Sequence, residues 1–554
     1  IINYDWDNNE VREKRTPNSA ERRYQKTLSK NFTLYADYKK NFNDRHDLSV
    51  MVGTSHESEN YDRFTAKRIN FDQQENMSLQ LGSAQDQNAW SEGNQWTINS
   101  FFSRVNYTFA NKYVIEGTIR ADGSSRFDPD HRWGWFPGVN AAWRVGEEGF
   151  MKRLGWFEDL KVRASYGEMG NQSGIGLYDY IQLISLSNDY YPFGAGMKGQ
   201  MATSGNIIST SRTWETIQTT NVGFDFSTLN NRLYGSFDYF WKENKNMLIP
   251  KTYPSMLGAD APSTNSGHLS IHGWEISLGW RDQIKDFSYS VRFNISDAKN
   301  KVVDRVGSNL IKLGNNETPT GYPLNSYFGY EFDGIIQNEQ ELEAYKSRFS
   351  EGGIPGDLSV GDAMYKDLDG DGKLSVLGDG KEGSGDVKYL GDKNPRYNFG
   401  FNLSMAWKGF DLSAFIQGVG RRTMFLEGES RCPMPEAWYQ SAEYWYGKTW
   451  TPERTDAQYP AITLKDKRNY NYYVSTNTKF NVAYARLKNL QFGYTIPQTL
   501  TSKAGLQKVR VYFSGEDLFE VHNTPNGWDP EENSGSITSY PFTRNYSFGI
   551  NVVF

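Results

Sequence analysis

Cysteine is almost absent. Cys432 stands alone in 554 residues, which excludes an intrachain disulfide framework. Histidine is scarce, with six in the chain, and none falls at HExxH or another close metal-ligand spacing. Nucleophile elbows, Ser-His-Asp spacing and CxxC pairs are missing, so covalent or metal-hydrolytic catalysis has few players. Paired glycosidase carboxylates stay open, because distance decides them and not order. The Gly-rich run GDGKEGSGD (378–386) lacks GxxxxGK[ST] and is a loop, not a phosphate cradle. A basic excess is lacking too: net charge is −6 and the pI ≈ 5.7, so nothing points to nucleic acid. No apolar run reaches the roughly 18 residues of a membrane-spanning helix. The opening IINYDWDNNE has neither the basic start nor the apolar core of a signal peptide. A chain that begins partway through a longer polypeptide is therefore expected.

Aromatics are what the chain has. They make up 15% of it, as 35 Tyr, 33 Phe and 16 Trp, beside 52 Gly. Mean hydropathy is nevertheless −0.70. Aromatic-rich, Gly-rich and hydrophilic together suit many strands with one apolar and one wet face. The chain shows that alternation repeatedly. Phe287, Tyr289, Val291, Phe293 and Ile295 alternate with Ser288, Ser290, Arg292, Asn294 and Ser296. Tyr546, Phe548, Ile550, Val552 and Phe554 alternate with Ser547, Gly549 and Asn551. Phe410, Leu412, Ala414 and Ile416 do the same, although Phe415 breaks the wet face.

The period-2 runs predict strands at 23–41, 46–58, 97–110, 113–122, 134–146, 158–168, 216–228, 232–246, 269–281, 286–298, 326–336, 396–407, 410–421, 483–496, 508–517 and 545–554, about sixteen in all. Tight connectors such as Asn43-Asp44-Arg45, Asn111-Lys112, Asn230-Asn231 and Lys408-Gly409 join neighbours. Long polar stretches separate the hairpins, at roughly 59–96, 169–213, 247–267, 299–325, 337–395, 422–482 and 519–544, and 339–347 and 436–447 look like short loop helices within them. Short turns on one rim and long loops on the other are the mark of a transmembrane antiparallel β-barrel, an all-β fold. Tyr239-Phe240-Trp241 and Trp133-Gly134-Trp135-Phe136 fit interfacial girdles. Ordinary strand propensity of aromatics is the plainer explanation, but the alternation and the loop asymmetry favour the girdle.

Several blocks then carry a family resemblance. RADGSSRF (120–127), RWGWFPGVNAAWRVGEEGF (132–150), LKVRASYGEMGN (160–171), GDAMYKDLDGDGKL (361–374), NPRYNFGFN (394–402), KGFDLSAFIQG (408–418), ARLKNLQFGYTIP (485–497), GWDPE (527–531) and FGINVVF (548–554) stand in order over nearly the whole chain. The chain resembles the SusC/RagA family of TonB-linked outer-membrane transporters. The resemblance implies a roughly 22-stranded barrel around a plug, a TonB-contacting segment and a carboxypeptidase-like extension. None of these three N-terminal parts is visible, so residues 1–554 are expected to be the C-terminal barrel portion, with the plug and first strands upstream or in another chain. It further implies nutrient import of oligosaccharides or peptides under a SusD-like surface lipoprotein, energised by the TonB complex, with no enzymatic role. The setting is integral in the Gram-negative outer membrane, in contact with its lipid. The assembly admits a dimer of transporter–lid pairs.

Two local patterns suggest sites. Asp367, Asp369 and Asp371 with Gly372 and Lys373 follow the first half of an EF-hand calcium loop. Position 12 is Gly378 where a closing Glu belongs, and Asp379 follows. A structural calcium and a plain Asx-rich turn both remain open. Loop aromatics Trp90, Trp96, Tyr190, Tyr191, Trp438, Trp445, Tyr470, Tyr472 and Tyr473 are the candidate contacts for ligand or lid. Packing inside the loops is the competing explanation for each, because aromatics also fill cores and interfaces.

Two other functions compete with glycan or peptide import. One is a siderophore or cobalamin receptor, which shares the plugged barrel but not the blocks above. The other is a soluble all-β carbohydrate-binding or hydrolytic protein, which needs a second sheet over Phe287, Tyr289, Val291, Phe293 and Ile295.

Overall fold

The computed structural model describes residues 2–4, 11–13, 18–72, 78–85, 87–193, 197–204, 207–250, 256, 263–305, 313–314, 318–377, 385–435, 441–463, 466–532, 535, 540 and 542–554. One sheet of 15 strands dominates it, and sequence neighbours are always sheet neighbours. The strands are β1 (Ser19–Phe42), β2 (His46–Ile69), β3 (Asn88–Phe109), β4 (Tyr113–Ser124), β5 (Trp133–Trp143), β6 (Asp159–Asn171), β7 (Glu215–Thr228), β8 (Leu233–Pro250), β9 (Ser263–Ile284), β10 (Phe287–Asp304), β11 (Arg396–Trp407), β12 (Phe410–Arg421), β13 (Tyr484–Thr495), β14 (Lys508–His522) and β15 (Asn545–Val553). Every pairing is antiparallel, and among the described residues β1 and β15 are the sheet's two edges.

Register explains the two faces. Residues opposite each other across a ladder share a face. Phe224 pairs with Phe237, Phe237 with Ile276, Ile276 with Ile295, and Ile295 with Phe399. Tyr107, Ile115, Ala141, Ala164, Val222, Tyr239 and Trp274 form another such row. One residue away the chemistry inverts. Arg163, Gly223, Asp238, Glu275 and Ser296 line up on the opposite face. Arg163 meets Asp238 at 2.5 Å and Asp225 at 3.1 Å. Gly223 makes this possible, because a Cβ there would stand 2.6 Å from Asp238 Oδ1. The apolar rows form a lipid-facing belt and the charged row faces the lumen.

The rims differ. On one, Asn43 and Asp44, Ala110 and Asn111, Leu229 to Asn231, Lys285, and Lys408 with Gly409 turn the chain through positive φ. On the other, the connections 305–395, 422–483 and 523–544 are long, and their described residues pack on one another as a cap. A tyrosine-rich core joins Tyr330, Tyr345, Phe349, Leu342, Tyr365 and Leu374 to Tyr470 of the next connection. A second core joins Met424, Cys432, Tyr444, Trp445, Tyr459 and Tyr472 to Trp528 of the third.

Three expectations change. The segment 326–336 is not a barrel strand. It is two short cap strands, Ser326–Tyr330 and Phe332–Ile335, paired with Val387–Asp392 and Ala363–Tyr365. Its aromatics give it strand propensity, but they are buried inside the cap. The polar stretch 59–96 is mostly strand, since β2 runs to Ile69 and β3 starts at Asn88. With 24 residues against the 9–11 or so that cross a bilayer, β2 rises far beyond the belt. There both faces are wet and hydrophobic alternation fades while the ladder continues. The helix expected at 436–447 is reduced to a 3₁₀ turn at Glu443–Trp445, and 436–440 lie outside the described residues. The other loop helix stands as α2 (Glu339–Arg348), and Asn338 caps it by accepting from Glu341 N at 2.9 Å. A shorter helix, α1 (Gly149–Leu154), sits in the β5–β6 connection on the short-turn rim.

Candidate functional site

Trp90 and Trp96 lie on β3 and not on a loop. They share the face that carries Arg104 lower down. Trp96 Nε1 donates to Glu59 Oε1 at 3.3 Å, and the Arg126 guanidinium lies 5.6 Å from its ring centroid. Tyr178 OH accepts from Gln95 N at 3.1 Å, which ties the β6–β7 connection to this wall.

Other expected contacts are placed differently. Trp445, Tyr470 and Tyr472 are buried, and Tyr473 packs against the tyrosine core half-covered. They cannot meet a ligand or lid without the cap opening. The two fully buried phenols have the hydrogen-bond partners that burial requires. Tyr470 OH bonds Tyr345 OH at 2.7 Å, and Tyr472 OH donates to Pro460 O at 3.0 Å. Tyr190 and Tyr191 belong to a hairpin of Ile184–Phe193 with Met197–Ser204. Trp438 lies outside the described residues.

The cap's exposed aromatic surface is elsewhere. A cleft of ≈ 380 Å³ is lined by Glu443, Tyr444, Tyr446, Lys448, Asn526 and Trp528. Tyr446 is 90% exposed at its mouth. The Lys448 ammonium sits 3.6 Å from the Tyr444 ring centroid, and burial lowers its pKa. A ring open to solvent beside a half-sheltered cation suits a sugar or peptide with an acidic group. Sequence reading missed this set because Tyr446 and Lys448 are distant from Asn526 in the chain. The GWDPE block, which brings Trp528, was the available signal.

The Asp-rich turn is ordered. Asp367 accepts from Gly370 N at 2.7 Å and from Gly372 N at 3.0 Å. Asp369 accepts from Gly385 N at 2.8 Å. Gly370 and Gly372 both hold φ of 75°, a region costly for other residues. The carboxylates that converge are Asp367, Asp369 and Asp386, each with an oxygen within 4.8 Å of the others. Asp371 instead accepts from Lys373 N at 2.8 Å and stands outside this group. Lys373 serves as a bridge partner of Gly352, and Asp379 lies outside the described residues. Asp386 is the member that spacing alone could not supply. It is fully buried and accepts from Leu368 N at 2.6 Å and Ser375 N at 2.8 Å. Burial pushes its carboxyl up, and Asp369 and Asp367 add to the rise.

Comparison with known proteins gives the following. The family model for the β-barrel of TonB-dependent receptor-like proteins matches residues 2–518. The TonB-dependent receptor P3 of Formosa agariphila is 31% identical over 558 residues, covering 95% of this chain and 52% of its own length. The TonB-dependent receptor SusC of Bacteroides thetaiotaomicron is 26% identical over 568 residues, covering 94% and 50%. The solved structure of the RagAB peptide transporter superposes with a TM-score of 0.79 at 23% identity, over 96% of this chain and 56% of that one. The chain spans about half the length of the relatives it matches.

Proposed function

Given that the chain belongs to the TonB-dependent receptor-like β-barrel family of the outer membrane, we propose that it supplies the wall and outer cap of an importer for oligosaccharides or peptides. The importer works under a SusD-like surface lipoprotein and draws its energy from the TonB complex. The observation that carries this reading is the rim asymmetry. Tight positive-φ turns close one end, and three connections fold into a cap with an aromatic cleft at the other. In this reading the short turns face the periplasm. The cleft around Tyr446 and Lys448, and the wall around Trp90 and Trp96, meet cargo or lid. Cargo enters between them and leaves through the lumen past Arg163, Asp238 and Glu275.

The test is uptake of labelled oligosaccharides and peptides by cells carrying the full-length transporter, with and without TonB, alongside co-purification of the lid. Uptake that survives TonB depletion would overturn the proposal.

We further propose that Asp367, Asp369 and Asp386 hold a structural calcium that stiffens the cap. The support is three converging hard oxygen donors of the kind calcium takes. Three carboxylates this close repel one another, and a cation among them would relieve that repulsion.

A further inference from the structure

The β5–β6 connection does more than turn the chain, and its packing shows which side of the wall it occupies. Phe157 meets Phe226 edge-on at 6.4 Å between ring centroids. Phe226 stands on the belt face of β7, two residues from Phe224. Thr228 Oγ1, on that same face, donates to Trp156 O at 2.5 Å. Tyr113 OH and Trp143 Nε1, also belt residues paired across β4 and β5, donate to Glu148 at 2.7 and 3.2 Å. The connection therefore lies against the outer face of the barrel base, clear of the lumen mouth.

Held there, it turns apolar side chains away from the protein. Phe150 is 51%, Leu154 50% and Trp156 67% exposed. Phe150 and Leu154 are four apart in α1 and form one stripe, while Lys152 falls on the far side of the helix, about 200° from Phe150. Lys152 is tied to Glu147 at 2.6 Å, and Lys112 to Glu148 at 2.8 Å. Arg153 donates Nε to Gly149 O at 3.2 Å, and no carboxylate contacts it among the described residues. Three large apolar groups beside a guanidinium that no described carboxylate contacts, continuous with the lipid belt, have the build of a segment lying in a membrane interface.

We propose that residues 149–156 form an interfacial foot. Phe150, Leu154 and Trp156 enter the phospholipid leaflet at the short-turn rim, and Arg153 reaches a headgroup phosphate. The foot rests on the membrane-spanning reading of the barrel and is independent of what is imported. It fixes the depth and rotation of the barrel base, as interfacial anchors do.

Nitroxide labels report depth directly. In the full-length transporter carrying Cys432→Ser, labels are placed one at a time at Phe150→Cys, Leu154→Cys, Lys152→Cys and Phe293→Cys. The samples are read in phosphatidylethanolamine–phosphatidylglycerol vesicles with oxygen and a water-soluble nickel chelate as relaxants. A foot gives oxygen-over-nickel accessibility several-fold higher at 150 and 154 than at 152. Equal wetness at all three positions overturns the foot, and so does equal shielding from both relaxants, which would mean a protein contact. Phe293 lies mid-belt and must behave as lipid-exposed in the same sample. If it does not, the barrel assignment fails and the foot falls with it, whereas a lipid-exposed Phe293 beside wet 150 and 154 overturns the foot alone. Replacing these vesicles with lipopolysaccharide-only bilayers separates the leaflets: an unchanged depth profile there would overturn the commitment to phospholipid.

Discussion

Arg486 meets Asp529 at 2.5 Å with its own side chain only 1% exposed. The same guanidinium reaches Glu531 at 3.1 Å and lies 4.4 Å from the Phe542 ring centroid. One side chain on β13 thus pins the β14–β15 connection to the wall. Breaking a buried ion network leaves uncompensated charge, at roughly 3–5 kcal/mol. Arg486→Ala should therefore free residues 523–544 to early proteolysis while the barrel still inserts. Unchanged cleavage kinetics would show that the network is not what holds the connection.

The two faces of β10 make opposite predictions one residue apart. Phe293→Arg places a cation on the belt, at a cost of about 2–4 kcal/mol near the bilayer midplane, and should reduce folding into liposomes sharply. Asn294→Arg, on the lumen face, should fold like the parent. Equal folding yields for the two would contradict the assigned faces.

The cap should melt separately from the wall. Leu342 is buried in the tyrosine core, and Leu→Ala at such sites costs about 2–5 kcal/mol. Leu342→Ala should speed amide exchange in 326–374 and 466–475 and leave β7 to β10 protected. Faster exchange in the barrel strands as well would mean that cap and wall unfold as one unit.

Lys366 and Lys388 hold the Glu331 carboxyl down at about 2, from its ordinary value of 4.5. A depressed folded-state value contributes stability that is complete above the unfolded value and is lost as pH falls through the folded one. Cap protection from this contact should thus decline between about pH 4.5 and pH 2. Exchange measured at pH 6, 4.5 and 3 checks it, and Glu331→Gln should flatten the profile. A variant with the parent's pH dependence would count against the assignment.

Calcium should raise the midpoint of cap unfolding in the full-length transporter, and chelator should lower it. Asp367→Asn with Asp369→Asn should remove the response. Calorimetric titration with calcium that gives the same heat for parent and variant would rule the site out.

Alternation made the barrel legible because period 2 is a covalent property of a strand with one greasy face. The belt run Phe287 to Ile295 and the turns at Asn43, Asn111 and Lys408 could be placed from letters alone. Where both faces are wet, as in residues 59–69 of β2, that signal vanishes although hydrogen bonding continues. Where both are dry, as in Ser326–Tyr330, a cap strand is indistinguishable from a barrel strand. The site was less legible still. Trp445, Tyr470 and Tyr472 are interior, while Tyr446, the residue directly after Trp445, is open to water. Aromatic identity carries no mark of which neighbours will cover it. Asp386 shares a cluster with Asp367 only because the intervening chain folds back.

The shared interior of the cap has an evolutionary corollary. Tyr470 completes a core built by the preceding connection, and Trp528 completes one built by the connection before it. A recombination event that exchanges one connection alone leaves half of a hydrophobic interface without its complement. Diversity of the cap in this lineage should therefore arise through point changes at solvent-facing positions such as Tyr446, or through inheritance of the whole loop assembly as a block.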